Sequence, residues 1–177
     1  MTQVTKIKKS TPLKVIRKLA PPCRCDACSH GCTMGSGMLA EGDAKKLAAS
    51  LNITEKELRE KHLEEVELFN RKMLRPKIMR NNKPYGRCTF YDAKKGCTVH
   101  KAKPLQCKVS MGCKEYSSDL TAWFMLNHVL NKHDPEALRQ YAQYIKSGGQ
   151  VIPEGKMEDI VPDKKMREKI INYEILK

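Results

Sequence analysis

No apolar run in this 177-residue chain can cross a bilayer: the longest, residues 122–126, falls far short of the roughly 20 a spanning helix needs. The first twenty residues carry six basic side chains and only scattered apolar ones, so the continuous apolar core of a secretory signal is missing too. These absences predict a cytoplasmic protein without a membrane partner. Aromatic residues are few (6%), with a single tryptophan, and glycine is modest, while apolar residues reach 40%; this describes a globular chain rather than a disordered or collagenous one. The length suits one domain and leaves little room for repeats. Acidic residues are short against basic ones, 20 to 34, giving a net charge of +14.

Cysteine is absent from the last 64 residues, and this makes the distribution of the eight that occur informative. Cys23, Cys25, Cys28 and Cys32 form one group; Cys88, Cys97, Cys107 and Cys113 form a second. The cytosol keeps thiols reduced, so a disulfide framework is not expected, and buried structural cysteines would follow helix or strand periodicity. These do not, and all eight are read as metal ligands. The first group, C-x-C-x2-C-x3-C, aims sulfurs from a compact loop. The second needs a fold to bring its sulfurs together. Two arrangements remain open: each group holds its own metal, or the groups interleave and pin the N-terminal loop onto the later segment. Thiolates suit an iron-sulfur cluster and Zn2+ alike, and spacing does not separate them.

Several sharper motifs are missing. After Cys28-x3-Cys32, Gly35 stands where a radical adenosylmethionine motif needs cysteine, and the repeated C-x2-C of ferredoxins does not occur. Gly35, Gly37 and Ala40 spell G-x-G-x-x-A, but a cysteine loop rather than a strand precedes them. The stretch from Gly149 to Lys156 has the wrong length and ending for a phosphate loop. His30 and His100 lie near cysteines and can replace a sulfur, although a surface or supporting role is favoured when eight thiols are available. No catalytic residue is singled out, and whether the chain is an enzyme stays open.

The patterning predicts a mainly α fold with a small β-hairpin, a cysteine-rich metal-binding core packed with helices. Residues 1–20 read as a basic N-terminal arm, flexible over 1–11; residues 21–118 as the cysteine-cluster domain; and residues 119–177 as a helical extension on the same domain. Helices are expected at 43–51 and from a capping box at Thr54 and Glu57 onward, where Leu58, Leu63, Val66, Phe69 and Met73 make an apolar face ended by Pro76. A basic connector with a turn around 81–86 leads to a hairpin over 88–100. Three helices follow, at 119–131, 134–147 and 163–176.

Positive charge flanks the cysteines: +6 over residues 1–18 and +10 over 71–103, against −3 over 41–70. It can attract nucleic acid or an acidic protein, with Tyr85, Phe90 and Tyr91 placed to stack on bases, or it can offset thiolate-bound metal.

The ordered series Gly86, Cys88, Phe90, Cys97, Pro104, Cys107, Cys113, after a cysteine loop and a helical stretch over 39–65, resembles the YkgJ-like cysteine-cluster family, described as a zinc- or iron-chelating domain. The likeness covers residues 23–113. It departs from the family in lacking an adjacent cysteine pair, in His100 where tyrosine is common, and in Lys103 where arginine precedes the proline. The resemblance implies a cluster-binding protein; some relatives, the flagellin lysine methylases, attach a similar region to methyl transfer. The leading expectation is therefore a metal-binding protein holding an iron-sulfur cluster, zinc or both. A cluster-dependent redox or methyl-transfer enzyme and a nucleic-acid-binding module are the alternatives.

Overall fold

The computed structural model describes residues 6–177. Four helices come first among them: α1 (Leu13–Leu19), α2 (Asp26–Met34), α3 (Asp43–Leu51) and α4 (Glu55–His62). Three two-stranded sheets follow, pairing β1 (Leu63–Leu68) with β2 (Arg71–Pro76), β3 (Ile78–Met79) with β4 (Arg87–Cys88), and β5 (Tyr91–Asp92) with β6 (Gly96–Cys97). The chain closes with α5 (Leu105–Val109), α6 (Ser117–Phe124), α7 (Pro135–Lys146), α8 (Met157–Ile160) and α9 (Lys164–Ile171). The mainly α class is what the patterning predicts, and the one hairpin it expects corresponds to β5–β6, with two further two-stranded sheets beside the expectation.

The chain divides into two compact units. One comprises Arg17–Val66 and Lys72–Ser117 and contains all eight cysteines. Its core gathers Leu39, Leu47, Leu58, Leu63, Phe90 and Val99 around Cys88. The other takes the described residues up to Ile16, then Glu67–Arg71 and Ser118–Lys177. Its core includes Trp123, Phe124, Leu138 and Tyr141.

The first five residues of the expected arm lie outside the described residues. From Lys6 the stretch does not stand free: Ile7 is 3% exposed, and the Lys9 N–H donates to the Pro153 carbonyl at 3.0 Å. Apolar anchoring replaces the flexibility that the basic composition predicts.

The helix expected from Thr54 to Met73 is shorter. Thr54 caps α4 through its hydroxyl, which accepts from the Glu57 N–H at 3.1 Å, but Glu57 turns to Lys61 instead of closing a capping box. Beyond His62 the chain becomes a hairpin, and burial along β1 alternates strand-wise. Its two-residue turn puts Phe69 and Asn70 at φ 49° and 54°. Asparagine tolerates that region and phenylalanine does not favour it, so tertiary contacts must hold the turn. They do: the Phe69 ring meets Tyr141 edge-on at 5.3 Å, and the Asn70 N–H donates to the Gln140 side chain at 2.8 Å. An apolar spacing compatible with a helix is overridden by docking of the turn.

The first cysteine group is also more ordered than a loop, since α2 begins right after Cys25 and carries Cys28 and Cys32 one turn apart. Among the later helices, α7 starts as predicted: Pro135 occupies the first turn, and Asp134 accepts from the Glu136 and Ala137 N–H groups. The helix expected over 119–131 widens into a π turn at Met125–Val129, and that expected over 163–176 ends at Ile171.

Glu64 on β1 braces the cysteine-bearing unit. It accepts from Arg75 Nε at 2.9 Å and from both terminal nitrogens of Arg80, at 2.8 and 2.7 Å. The Arg80 guanidinium, with Arg75, holds its carboxyl below the usual range. A depressed folded-state value means the pairing stabilises above that range and is lost as pH falls through it. Glu64→Gln is expected to lower the unfolding free energy by about 1–2 kcal/mol near neutral pH, because Arg80 is partly solvated. Urea titrations should show the gap to wild type closing as the medium is acidified below about pH 4.

Candidate metal centre

The chain approaches α2 extended, with Cys25 at φ −67° and ψ 163°, and then enters the helix. This brings Cys23, Cys25 and Cys28 to the start of α2, where the helix dipole favours thiolate. The fourth sulfur arrives from 85 residues away. At Gly112 a Cβ would stand 2.3 Å from the Ala27 carbonyl oxygen, so only glycine lets this segment lie on the α2 backbone. Cys113 is thereby set against the first three. The four Sγ atoms all lie within 4.8 Å of one another, with Cys28–Cys113 at 3.4 Å and Cys23–Cys113 at 3.7 Å.

That spacing suits one ion. Sulfur ligands at 2.3 Å in a tetrahedron stand about 3.8 Å apart, so this donor set fits a four-coordinate zinc or iron ion with little rearrangement. The thiols are not equivalent. The Cys25 backbone N–H, followed by the surrounding sulfurs, draws Cys23 down to about 7. Burial raises Cys28, and the Cys28 sulfur beside it pushes Cys113 up to about 12. Metal-free, Cys23 is readily ionised, whereas Cys28 and Cys113 hold their protons more tightly.

Cys32, Cys88, Cys97 and Cys107 sit on α2, β4, β6 and α5. Packing of α2 on β4 and β6 brings the first three together. The α5 helix is fixed from another direction. Buried Asp43 accepts from the Leu105 N–H at 2.7 Å, and Gln106 accepts from the Met38 N–H. At Gly37 a Cβ would meet the Cys107 Sγ at 2.7 Å, so glycine lets the chain pass over that sulfur. Burial dominates here, lifting Cys88 to about 11, Cys107 to about 12 and Cys32 above its ordinary value. All four line one cavity, and Cys32, Cys88 and Cys107 each feel negative charge on other members of the set. Its sulfurs are not drawn as close as those of the first quartet; they line a cavity of about 770 Å3, which Cys23 and Cys28 also reach.

The two quartets exchange one member each relative to sequence order: Cys113 joins the N-terminal group and Cys32 the later one. Cys113 thus stands with the N-terminal sulfurs, as the interleaved arrangement would require. His30 is exposed on α2, and His100 contacts the Cys23 carbonyl through Nε2 at 3.1 Å, so neither enters the close sulfur set. Phe90 is buried in the core and unavailable for stacking, whereas Tyr85 is exposed under Lys83. Sequence reading misses Asp43, Gln106, Gly37 and Gly112 as site-building residues. Only the G-x-G at 35–37 marks any of them, and its reason is the approach to Cys107 rather than a phosphate.

Mild oxidation of metal-free protein is expected to link Cys113 to Cys28 or Cys23 before any pair involving Cys107, as read by peptide mass mapping. Gly112→Ala should slow that step about tenfold by displacing Cys113, without loss of helical circular dichroism; unchanged cross-linking would contradict the geometry.

No curated protein and no solved structure matches this chain. Residues 24–128 match the CxxCxxCC profile, "Putative zinc- or iron-chelating domain". Because that match spans more than half of the sequence and overlies the gathered sulfurs, the chain belongs to the CxxCxxCC family of zinc- or iron-chelating domains.

Proposed function

We propose that this is a cytoplasmic metal-centre protein with two interleaved four-cysteine sites. Cys23, Cys25, Cys28 and Cys113 hold a single zinc or iron ion; Cys32, Cys88, Cys97 and Cys107 hold an iron-sulfur cluster. The observation that carries the reading is the set of four sulfurs within 4.8 Å, a spacing suited to one tetrahedral ion. A four-iron cubane instead places each terminal thiolate on a different iron and so farther from its neighbours. The wider second quartet, set around a cavity, favours that occupant. All eight cysteines are unpaired, which supports a reducing compartment. The metal-binding part corresponds to residues 21–118, with the C-terminal helices as an extension.

The bound group supplies charge and cross-linking at the first site and electron-transfer capacity at the second. The chain supplies the rest. The dipole of α2 and the Cys25 N–H favour ionised sulfur at Cys23, burial of Cys88 limits water, and His100 braces the Cys23 carbonyl. Thiols whose protons are held tightly must lose them to bind, so loading expels protons and weakens as pH falls.

Protein purified without oxygen or added metal is the test. Iron with comparable acid-labile sulfide, plus about one further ion per chain, is expected. Cys113→Ser should lose that further ion and keep the sulfide, and Cys107→Ser should do the reverse. Protein with neither metal nor sulfide would overturn the reading.

A further inference from the structure

The cavity between the two quartets is larger than a metal ion requires. At about 770 Å3 it lies in the range of pockets that hold small organic molecules. Its wall carries five cationic side chains, Arg17, Arg24, Lys101, Lys103 and Lys108, and no aspartate or glutamate. None of the five forms an ion pair among the described residues, although Lys103 and Lys108 are half-buried. Lysines and arginines without carboxylate partners, five in all, outnumber the formal charge of about −2 on a tetrathiolate centre and leave a net positive field in a medium of reduced dielectric. The rest of the wall includes apolar surface from Pro22, Met34 and Met111.

We propose that this cavity binds a small organic anion, with its charged oxygens on the lysine and arginine side chains and its apolar body against Pro22, Met34 and Met111. The ligand would lie beside the second quartet, so the placement rests on the two-site reading, while binding itself depends only on the cavity. The competing use of the cations is to balance thiolate charge. Lys103 suits that use, since its field reaches both Cys32 and Cys88. Arg17 is on α1 and is exposed, and Lys108 is on α5; these two are assigned to the anion.

The test uses the full chain as purified without oxygen, with 1-anilinonaphthalene-8-sulfonate as the anionic probe and N-phenyl-1-naphthylamine as its neutral counterpart. The sulfonate is expected to bind about tenfold more tightly than the neutral compound, the worth of one charge-assisted contact. Arg17→Gln and Lys108→Gln should each weaken the sulfonate several-fold, leave the neutral probe unaffected, and leave iron, zinc and sulfide contents unchanged. Lys108→Arg should retain binding. Displacement by hexanoate or by phenyl phosphate supports the site and identifies the headgroup it prefers; displacement by neither overturns it. Equal affinity for the two probes overturns it as well. So does loss of metal in the Gln variants, because the cations would then be counter-charges. Metal content of the wild-type samples reports separately on the two-site reading.

Discussion

Four sulfur atoms held within 4.8 Å are the constraint around which the cysteine-bearing unit is organised. As thiolates they would repel one another, and as thiols they give each other only weak hydrogen bonds. The convergence must therefore be held from outside. Gly112 supplies the means by letting its segment lie on the α2 backbone without a side chain between. Structural zinc in small domains contributes on the order of 10 kcal/mol, comparable with the whole stability of a typical domain. A metal held here would thus set the stability of the elements that deliver its ligands.

The cysteine clustering, the helix at Asp43–Leu51 and the start of α7 were legible because each has a local cause: a spacing, a first-turn aspartate, an Asp-Pro cap. Pairing of Cys113 with the N-terminal cysteines was not, because it depends on the path of the backbone at Gly112 and not on any interval between cysteines. The roles of Asp43 and Gln106 were hidden for the same reason. A buried carboxylate reaching Leu105 looks, in sequence, like an ordinary helix start.

The hairpin at 63–76 shows the opposite limit. Leu58, Leu63, Val66, Phe69 and Met73 fit a helical face as well as they fit a strand followed by a turn. The choice is made by Phe69 and Asn70, whose strained turn is held by Tyr141 and Gln140. Charge was readable as an excess but not as a set of assignments. Within the +10 stretch, Arg75 and Arg80 are engaged by Glu64, while Lys101 and Lys103 face the cavity. A basic run that looks uniform in sequence serves at least two different surroundings.

The sequence distance between the first three sulfurs and the fourth also bears on how the protein is made. Cys28 and Cys113 are separated by 85 residues. At about 5–20 residues per second of synthesis, the first three cysteines leave the ribosome several seconds before their fourth partner exists. During that interval the chain displays Cys23, Cys25 and Cys28, with Cys32 close behind in sequence, and lacks the fourth sulfur of the close set. The close sulfur set is thus completed only after the segment carrying Gly112 and Cys113 has been made and has reached α2.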